Sequence, residues 1–321
     1  MHLNFIKKIN QYTKNGIPFL FIIDFEKRKP FVCKISNLER ENILYSIKGK
    51  GNLISIKGDE IIPLKVQKID KEVYKEAFNK VKKNIILGNS YLTNLTFPTT
   101  IKTNIGLKEI IERANAKYKL FFKDEFISFS PECFIQIKDN KVYTFPMKGT
   151  IDASISDARE KLLKDKKETY EHNTIVDLMR NDLAIIAKNI TINRFRYIDE
   201  IFTQKGSILQ VSSEIEGKLP ENWKGHFGEL LCKILPAGSI SGAPKKKTVE
   251  IIKESENKKR GYYTGVFGVF DGENVDSSVL IRYIEKEKDG LVYRSGGGIT
   301  SKSDMKFEYE ELIQKIYIPT S

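Results

Sequence analysis

The order of the periodic segments restricts this chain more than any single motif. PFLFIIDF (18–25), PFVCKI (30–35), NILYSI (42–47) and NLISIK (52–57) are short apolar runs between polar or glycine-containing turns, the pattern of consecutive strands. Only then does a helical repeat begin. Over about 71–87, Val73, Ala77, Val81 and Ile85 recur every four residues, and Gly88 stops the run. Strand-like SYLTNLTFPTT, a short helix near 107–115 and the apolar runs YKLFFK, EFISFS and CFIQIK follow. Helices are expected over 157–187, near 224–235 and from about Pro244 to Asn257. Strand signals return in YYTGVFGVF (262–270), SSVLIRYIE (277–285) and GLVYRS (290–295), before a Gly-rich turn and a closing helix, FEYEELIQKI. Strands grouped with strands do not make the alternation of a parallel sheet, so the expectation is α+β with mostly antiparallel sheet. No repeat or long linker divides the 321 residues, and one domain over 1–321 is expected.

Composition narrows the class of protein. No window approaches the ~20 consecutive apolar residues of a membrane span. MHLNFIKKINQYTK lacks the apolar run and small-residue site of a secretory leader, and a cytoplasmic location with no membrane partner is the expectation. Cys33, Cys133 and Cys232 are far apart with no CxxC, and His2, His172 and His226 are as scattered. Neither a disulfide framework nor a Cys/His zinc site is expected from such spacing. Lys plus Arg outnumber Asp plus Glu by 54 to 42, a formal charge of +12. That balance suits nucleic acid, an anionic membrane or an acidic small substrate. The lysines, such as KKK at 245–247 and KDKK at 164–167, are dispersed among glutamates, which reads as a solvated surface. A basic nucleic-acid-binding protein, the competing reading from another class, needs clustered cations with interleaved aromatics.

Three features could carry chemistry. Glu168 with Glu171, and Glu308 with Glu311, stand at i, i+3 on helical segments, so each pair shares a helix face. Two such faces brought together offer the oxygen-only ligands that a hard ion such as Mg2+ selects; the plain alternative is two solvated faces. LPAGSISGAPK (235–245) and RSGGGITS (294–301) are Gly-rich turns, where a ligand can approach the backbone closely, or where the chain simply turns. Lys148, in FPMKGT (145–150), follows an apolar strand. Desolvation there would depress its pKa and make the amine a nucleophile or base, unless it is an ordinary surface lysine at a strand end.

Taken together and in this order, these pieces resemble the chorismate-utilising enzymes. That family comprises the large subunits of anthranilate synthase and aminodeoxychorismate synthase, and the isochorismate and salicylate synthases. The resemblance spans roughly 70–318. It is carried by GNSYLTNLT (88–96), SPECF (130–134), PMKGT (146–150), ETYEHNTIVDLMRNDL (168–183), LPAGSISGAPK (235–245), RGYYTGVFG (260–268) and GGGITSKSDMKFEYEELIQK (296–315). It implies the family fold, mostly antiparallel sheets forming a β-sandwich core flanked by helices. Residues 71–321 would be the catalytic core and 1–70 a shortened N-terminal strand region.

PMKGT is similar to the PIKGT of the aminodeoxychorismate synthase branch, where anthranilate synthases typically carry alanine in place of the lysine. The resemblance therefore implies amination of chorismate at C4, with Lys148 attacking C2 and Glu132 as general acid. It implies Mg2+ held directly by Glu171 and Glu311, with Glu168 and Glu308 acting through water. Arg282 and Tyr263 would hold the enolpyruvyl carboxylate; Ser239, Gly296, Gly297, Gly298 and Lys315 match further substrate-binding positions. The implied partners are chorismate, ammonia from a glutamine amidotransferase subunit and a downstream aminodeoxychorismate lyase, on the route to 4-aminobenzoate and folate. Anthranilate synthase component I is the runner-up within the family. Leu92 stands where isochorismate and salicylate synthases place a water-activating lysine. Gln210 stands where many members, anthranilate synthases among them, have a histidine. Only about seventy residues precede the first family helix, so an incomplete tryptophan pocket and a reduced amidotransferase interface are expected.

Overall fold

The computed structural model describes residues 2–56, 62–203, 206–256 and 258–320. Among them are eight α-helices: α1 (Leu3–Lys14), α2 (Lys71–Ile86), α3 (Leu107–Arg113), α4 (Ala158–Lys164), α5 (Lys166–Ala184), α6 (Phe227–Ile234), α7 (Lys245–Glu256) and α8 (Met305–Gln314). The strands form two nine-stranded sheets, antiparallel throughout the described residues. The first runs Gly206–Lys218, Lys141–Thr144, Cys133–Lys138, Val275–Val279, Val266–Phe270, Phe19–Ile23, Phe31–Lys34. Lys188–Thr203 and Met147–Asp152 also pair with Gly206–Lys218. The second runs Gly242–Ala243, Leu92–Lys102, Gly290–Ile299, Tyr283–Glu287, Phe126–Ser130, Tyr118–Phe122, Ile43–Ile47, Lys50–Gly51, with Lys65–Gln67 beside Leu92–Lys102.

Burial explains why Phe19–Ile23 reads as an unbroken apolar run: all five side chains are buried. Leu20 and Ile22 face the space between the sheets, where Leu120, Phe122, Phe126, Phe267, Leu280 and Tyr283 form the sandwich core. Phe19, Phe21 and Ile23 point the other way, into a core with Trp223, Phe227 and Leu231 that α1, α5 and α6 cover. The far face of the second sheet is covered by α3 through Leu107, Ile110 and Ile111. Tyr74, Phe78 and Val81 of α2 cluster with Ile251, Tyr309, Leu312 and Leu95 of the same sheet. The expected α+β fold of antiparallel sheets flanked by helices is what the chain forms.

Several local expectations change. The N-terminus begins with α1, whose Phe5 and Ile9 are buried at i, i+4 spacing. The helix expected over 157–187 is broken at Asp165, whose side chain accepts from the Glu168 N–H and so starts α5. NLISIK forms no strand over 52–56, and Lys57 lies outside the described residues, as does Asn257. The hairpin of Lys188–Thr203 with Gly206–Lys218 escapes a period-two reading because register shifts at 188–191, 192–194 and 194–197 break the alternation. SSVLIRYIE is two strands in different sheets. The chain crosses between Val279 and Tyr283, where Arg282 takes φ 51°.

Candidate active site

Lys148 follows the strand Lys141–Thr144 as expected, but instead of leading into a turn it lies within a further strand, Met147–Asp152, which pairs with Gly206–Lys218 and packs beside α5. The three glycines are not a turn either. Gly296, Gly297 and Gly298 continue Gly290–Ile299 and pair with Thr96, Leu95 and Asn94. Glycine is required at Gly296 by crowding, since a Cβ there would stand 2.4 Å from Leu95 O, whereas one on Gly298 would meet only the end of the Leu92 side chain, at 2.9 Å. Gly296→Ala is accordingly expected to lower unfolding stability by about 1–3 kcal/mol, the usual cost of overpacking. Denaturant unfolding checks it, and an unchanged midpoint would refute the close approach.

A cavity of about 250 Å³ opens between these strands and α5, and it gathers most of the residues singled out above. Lys148, Glu132, Glu171, Ser239, Tyr263, Arg282, Gly296, Gly297, Gly298 and Lys315 all line it. Glu168, Glu308 and Glu311 do not line it but stand just behind. A Cβ on Gly149 would lie 3.1 Å from Glu168 Oε2, and one on Gly297 would lie 3.4 Å from Glu308 Oε2 and 3.7 Å from Glu311 Oε1. Sequence reasoning missed Asn94, Ile240, Thr264 and Tyr170 as lining residues. Their signal is weak, since none is titratable near neutrality and they come from four separate segments.

Lys148 Nζ lies 2.8 Å from Glu171 Oε2. Burial acts to lower the lysine's pKa, but Glu171, Glu168 and Glu311 outweigh it, and the net direction is upward. The expectation of a depressed amine is therefore corrected for the protein alone: the carboxylates hold an ammonium. Glu132 lines the same cavity, and burial raises its pKa against a hydrogen bond that Ser239 Oγ donates to Glu132 Oε1. The turn bearing Ser239 is pinned to α5 by Lys245, whose Nζ is 2.7 Å from Asp182 Oδ1. Gly238 packs there so closely that a Cβ would meet Asp182 Oδ2 at 2.7 Å. This packing accounts for much of the LPAGSISGAPK pattern.

Arg282 is held from below, donating from Nη1 to Lys315 O at 2.9 Å and stacking 4.8 Å from the Tyr317 ring. Burial pushes the Tyr263 phenol up to about 12, so it stays a hydrogen-bond donor. Lys315 donates to Gly296 O and pairs with Glu311 at 2.6 Å. Burial lowers the Lys315 pKa; burial pushes the Glu311 carboxyl upward, but Lys315, with Lys148 and Lys167, outweighs it and the net direction is downward. Burial raises both Glu168 and Glu308. Behind Lys148, buried His172 bonds Ser213 Oγ at 2.7 Å, and burial, aided by Arg196, drops its pKa to about 4.

The donor chemistry of the four glutamates fits a hard divalent cation: oxygen only, on two helices facing one cavity. Their convergence is incomplete, because among the described residues no three Asp, Glu, His or Cys side chains meet closely enough to hold an ion. Lys148 and Lys315 instead satisfy Glu171 and Glu311.

Comparison with known proteins assigns the class. The family model for chorismate binding enzymes matches residues 39–321. The chain belongs to that family. It is 50% identical over 317 residues to an uncharacterized PabA-like protein of Pasteurella multocida, covering 98% of each chain. It is 31% identical over 264 residues to aminodeoxychorismate synthase component 1 of Klebsiella aerogenes, covering 77% of this chain and 57% of that one. Among solved structures, anthranilate synthase component I of Streptococcus pneumoniae superposes with a TM-score of 0.67 at 25% identity, over 81% of this chain and 60% of that one. The menaquinone-specific isochorismate synthase of Escherichia coli shares the fold, with a TM-score of 0.72 at 16% identity over 97% of this chain and 79% of that one. No helix among the described residues is long and apolar enough to cross a membrane.

Proposed function

We propose that the protein is an aminodeoxychorismate synthase component I, which replaces the C4 hydroxyl of chorismate with an amino group. The observation that carries this reading is Lys148, a primary amine lining the same cavity as Glu132, a carboxyl whose pKa burial raises. The Lys148 amine attacks C2 while both ring double bonds shift, from C1=C2 and C5=C6 to C1=C6 and C4=C5, and the C4 hydroxyl departs as water, its proton supplied by Glu132. Ammonia then attacks C4, both double bonds shift back, and the C2–N bond breaks to release the lysine amine. One difficult substitution becomes two easier ones. Tyr263 and Arg282 bind the enolpyruvyl carboxylate, while Ser239, the Gly296–Gly298 backbone and Lys315 position the ring.

Glu171 and Glu311 would hold Mg2+ directly, with Glu168 and Glu308 behind them. The ion would supply positive charge beside the ring carboxylate and compete with Lys148 for Glu171, favouring the neutral amine. Apolar Leu92 lines the cavity, which supports ammonia over an activated water. Gln210 pairs with Thr150 and Asp199 in the first sheet, offering no imidazole for pyruvate elimination. The ammonia source is a glutamine amidotransferase subunit, and the product passes to a lyase for 4-aminobenzoate and folate synthesis, in the cytoplasm.

Mass analysis of the product from chorismate, Mg2+ and ammonium tests this reading. A product that keeps its enolpyruvyl group, and is lost on chelation of Mg2+, is expected. Anthranilate with free pyruvate would move the protein to the anthranilate synthases.

A further inference from the structure

Arg260 touches none of the residues assigned a chemical role, yet it is 1% exposed and every one of its guanidinium N–H groups has a partner. Nε donates to Glu256 Oε2 at 2.9 Å and Nη2 to Glu256 Oε1 at 2.5 Å, a forked pair. The remaining donors reach three chain segments: Nη2 to Asn94 O at 2.7 Å, Nη1 to Ile240 O at 2.9 Å and Nη1 to Thr264 Oγ1 at 3.3 Å. Glu256 is itself fixed, accepting from the Thr96 N–H and Oγ1.

These three acceptors are not arbitrary. Asn94, Ile240 and Thr264 each line the cavity, and each comes from a different element: the Leu92–Lys102 strand, the turn before α7 and the turn after it. Ile240 follows Ser239, whose hydroxyl holds Glu132. Thr264 follows Tyr263, donates to its carbonyl at 2.6 Å, and takes φ 58°, a conformation a β-branched residue adopts only when its surroundings impose it.

We infer that the buried Arg260–Glu256 pair is a positioning clamp that sets the cavity's substrate-binding wall, joining Ser239 and Tyr263 to the glycine-facing strand. A planar fork with five donors can hold three segments at once; a lysine ammonium cannot. The inference rests on the cavity being the chorismate site, not on which reaction follows, so chorismate affinity is its readout.

Calorimetric titration with chorismate and Mg2+ would be run in a Lys148→Ala background, where no covalent adduct forms, on the otherwise unaltered protein, Arg260→Lys and Thr264→Val, with thermal unfolding of each. Displacing the wall by about an ångström is expected to weaken chorismate binding roughly tenfold to a hundredfold in Arg260→Lys. Thr264→Val removes one link without unpairing the buried charges, and a loss of about threefold to tenfold is expected. Both losses should occur at a temperature where the variants are fully folded. Lower melting temperatures with chorismate affinity within twofold of the otherwise unaltered protein would overturn the clamp and leave a purely structural ion pair. Should Arg260→Lys fail to fold, unchanged affinity in Thr264→Val overturns it alone. If the otherwise unaltered protein does not bind chorismate, the cavity reading falls and the clamp with it.

Discussion

Lys148→Ala should lower the amination rate by on the order of a thousandfold or more while chorismate affinity changes little. Removing a covalent nucleophile eliminates the step itself and leaves only the contributions of binding and positioning. The rest of the cavity does not depend on this side chain: Tyr263, Arg282 and the glycine strand are held by other partners. The lysine's own neighbours also point to a functional reason for its presence. Its ammonium is drawn in by Glu171, 2.8 Å away, and by the fields of Glu168 and Glu311. A variant retaining more than about a tenth of the rate would remove Lys148 from the mechanism, since losses at groups that act directly are larger than that.

Glu132→Gln should cost about a hundredfold to ten-thousandfold in rate, the range for a positioned general acid. It should also remove one limb of the pH profile. Burial raises the Glu132 pKa, so the carboxyl keeps its proton to higher pH than an exposed glutamate. The acid form is the active one and is lost as pH rises through that raised value, so the limb lies on the alkaline side. The hydrogen bond from Ser239 stabilises the carboxylate and opposes the shift. Ser239→Ala should therefore move the alkaline limb upward. A downward move, or an unaltered limb in Glu132→Gln, would mean that another group titrates.

Spacing alone made part of this site legible, while Glu132, Ser239, Tyr263, Arg282 and Lys315 are identified only through the motifs that carry the family resemblance. Glu168 and Glu171, and Glu308 and Glu311, were placed on helix faces by spacing alone, and α5 and α8 do present them to the same cavity region. What spacing could not supply was the counter-charge. Lys148 and Lys315 pair with those faces only through tertiary structure, which is why the depressed lysine expected from an apolar strand is instead held as an ammonium. The glycines misled in a different way. Three in a row suggest a turn, yet Gly296–Gly298 extend a strand because the neighbouring strand leaves no room for a side chain at Gly296. Arg260 opens the RGYYTGVFG motif, yet its role gave no signal, since two of its acceptors are backbone carbonyls, of Asn94 and Ile240, brought to it only by the tertiary fold.

The most direct test of the account is the mass of the intact protein after incubation with chorismate and Mg2+ in the absence of ammonium. The account predicts an adduct of chorismate less one water, mapped to the peptide containing Lys148, and its disappearance when ammonium is added. An unmodified protein that still aminates chorismate at full rate, or an adduct on any other residue, would contradict it.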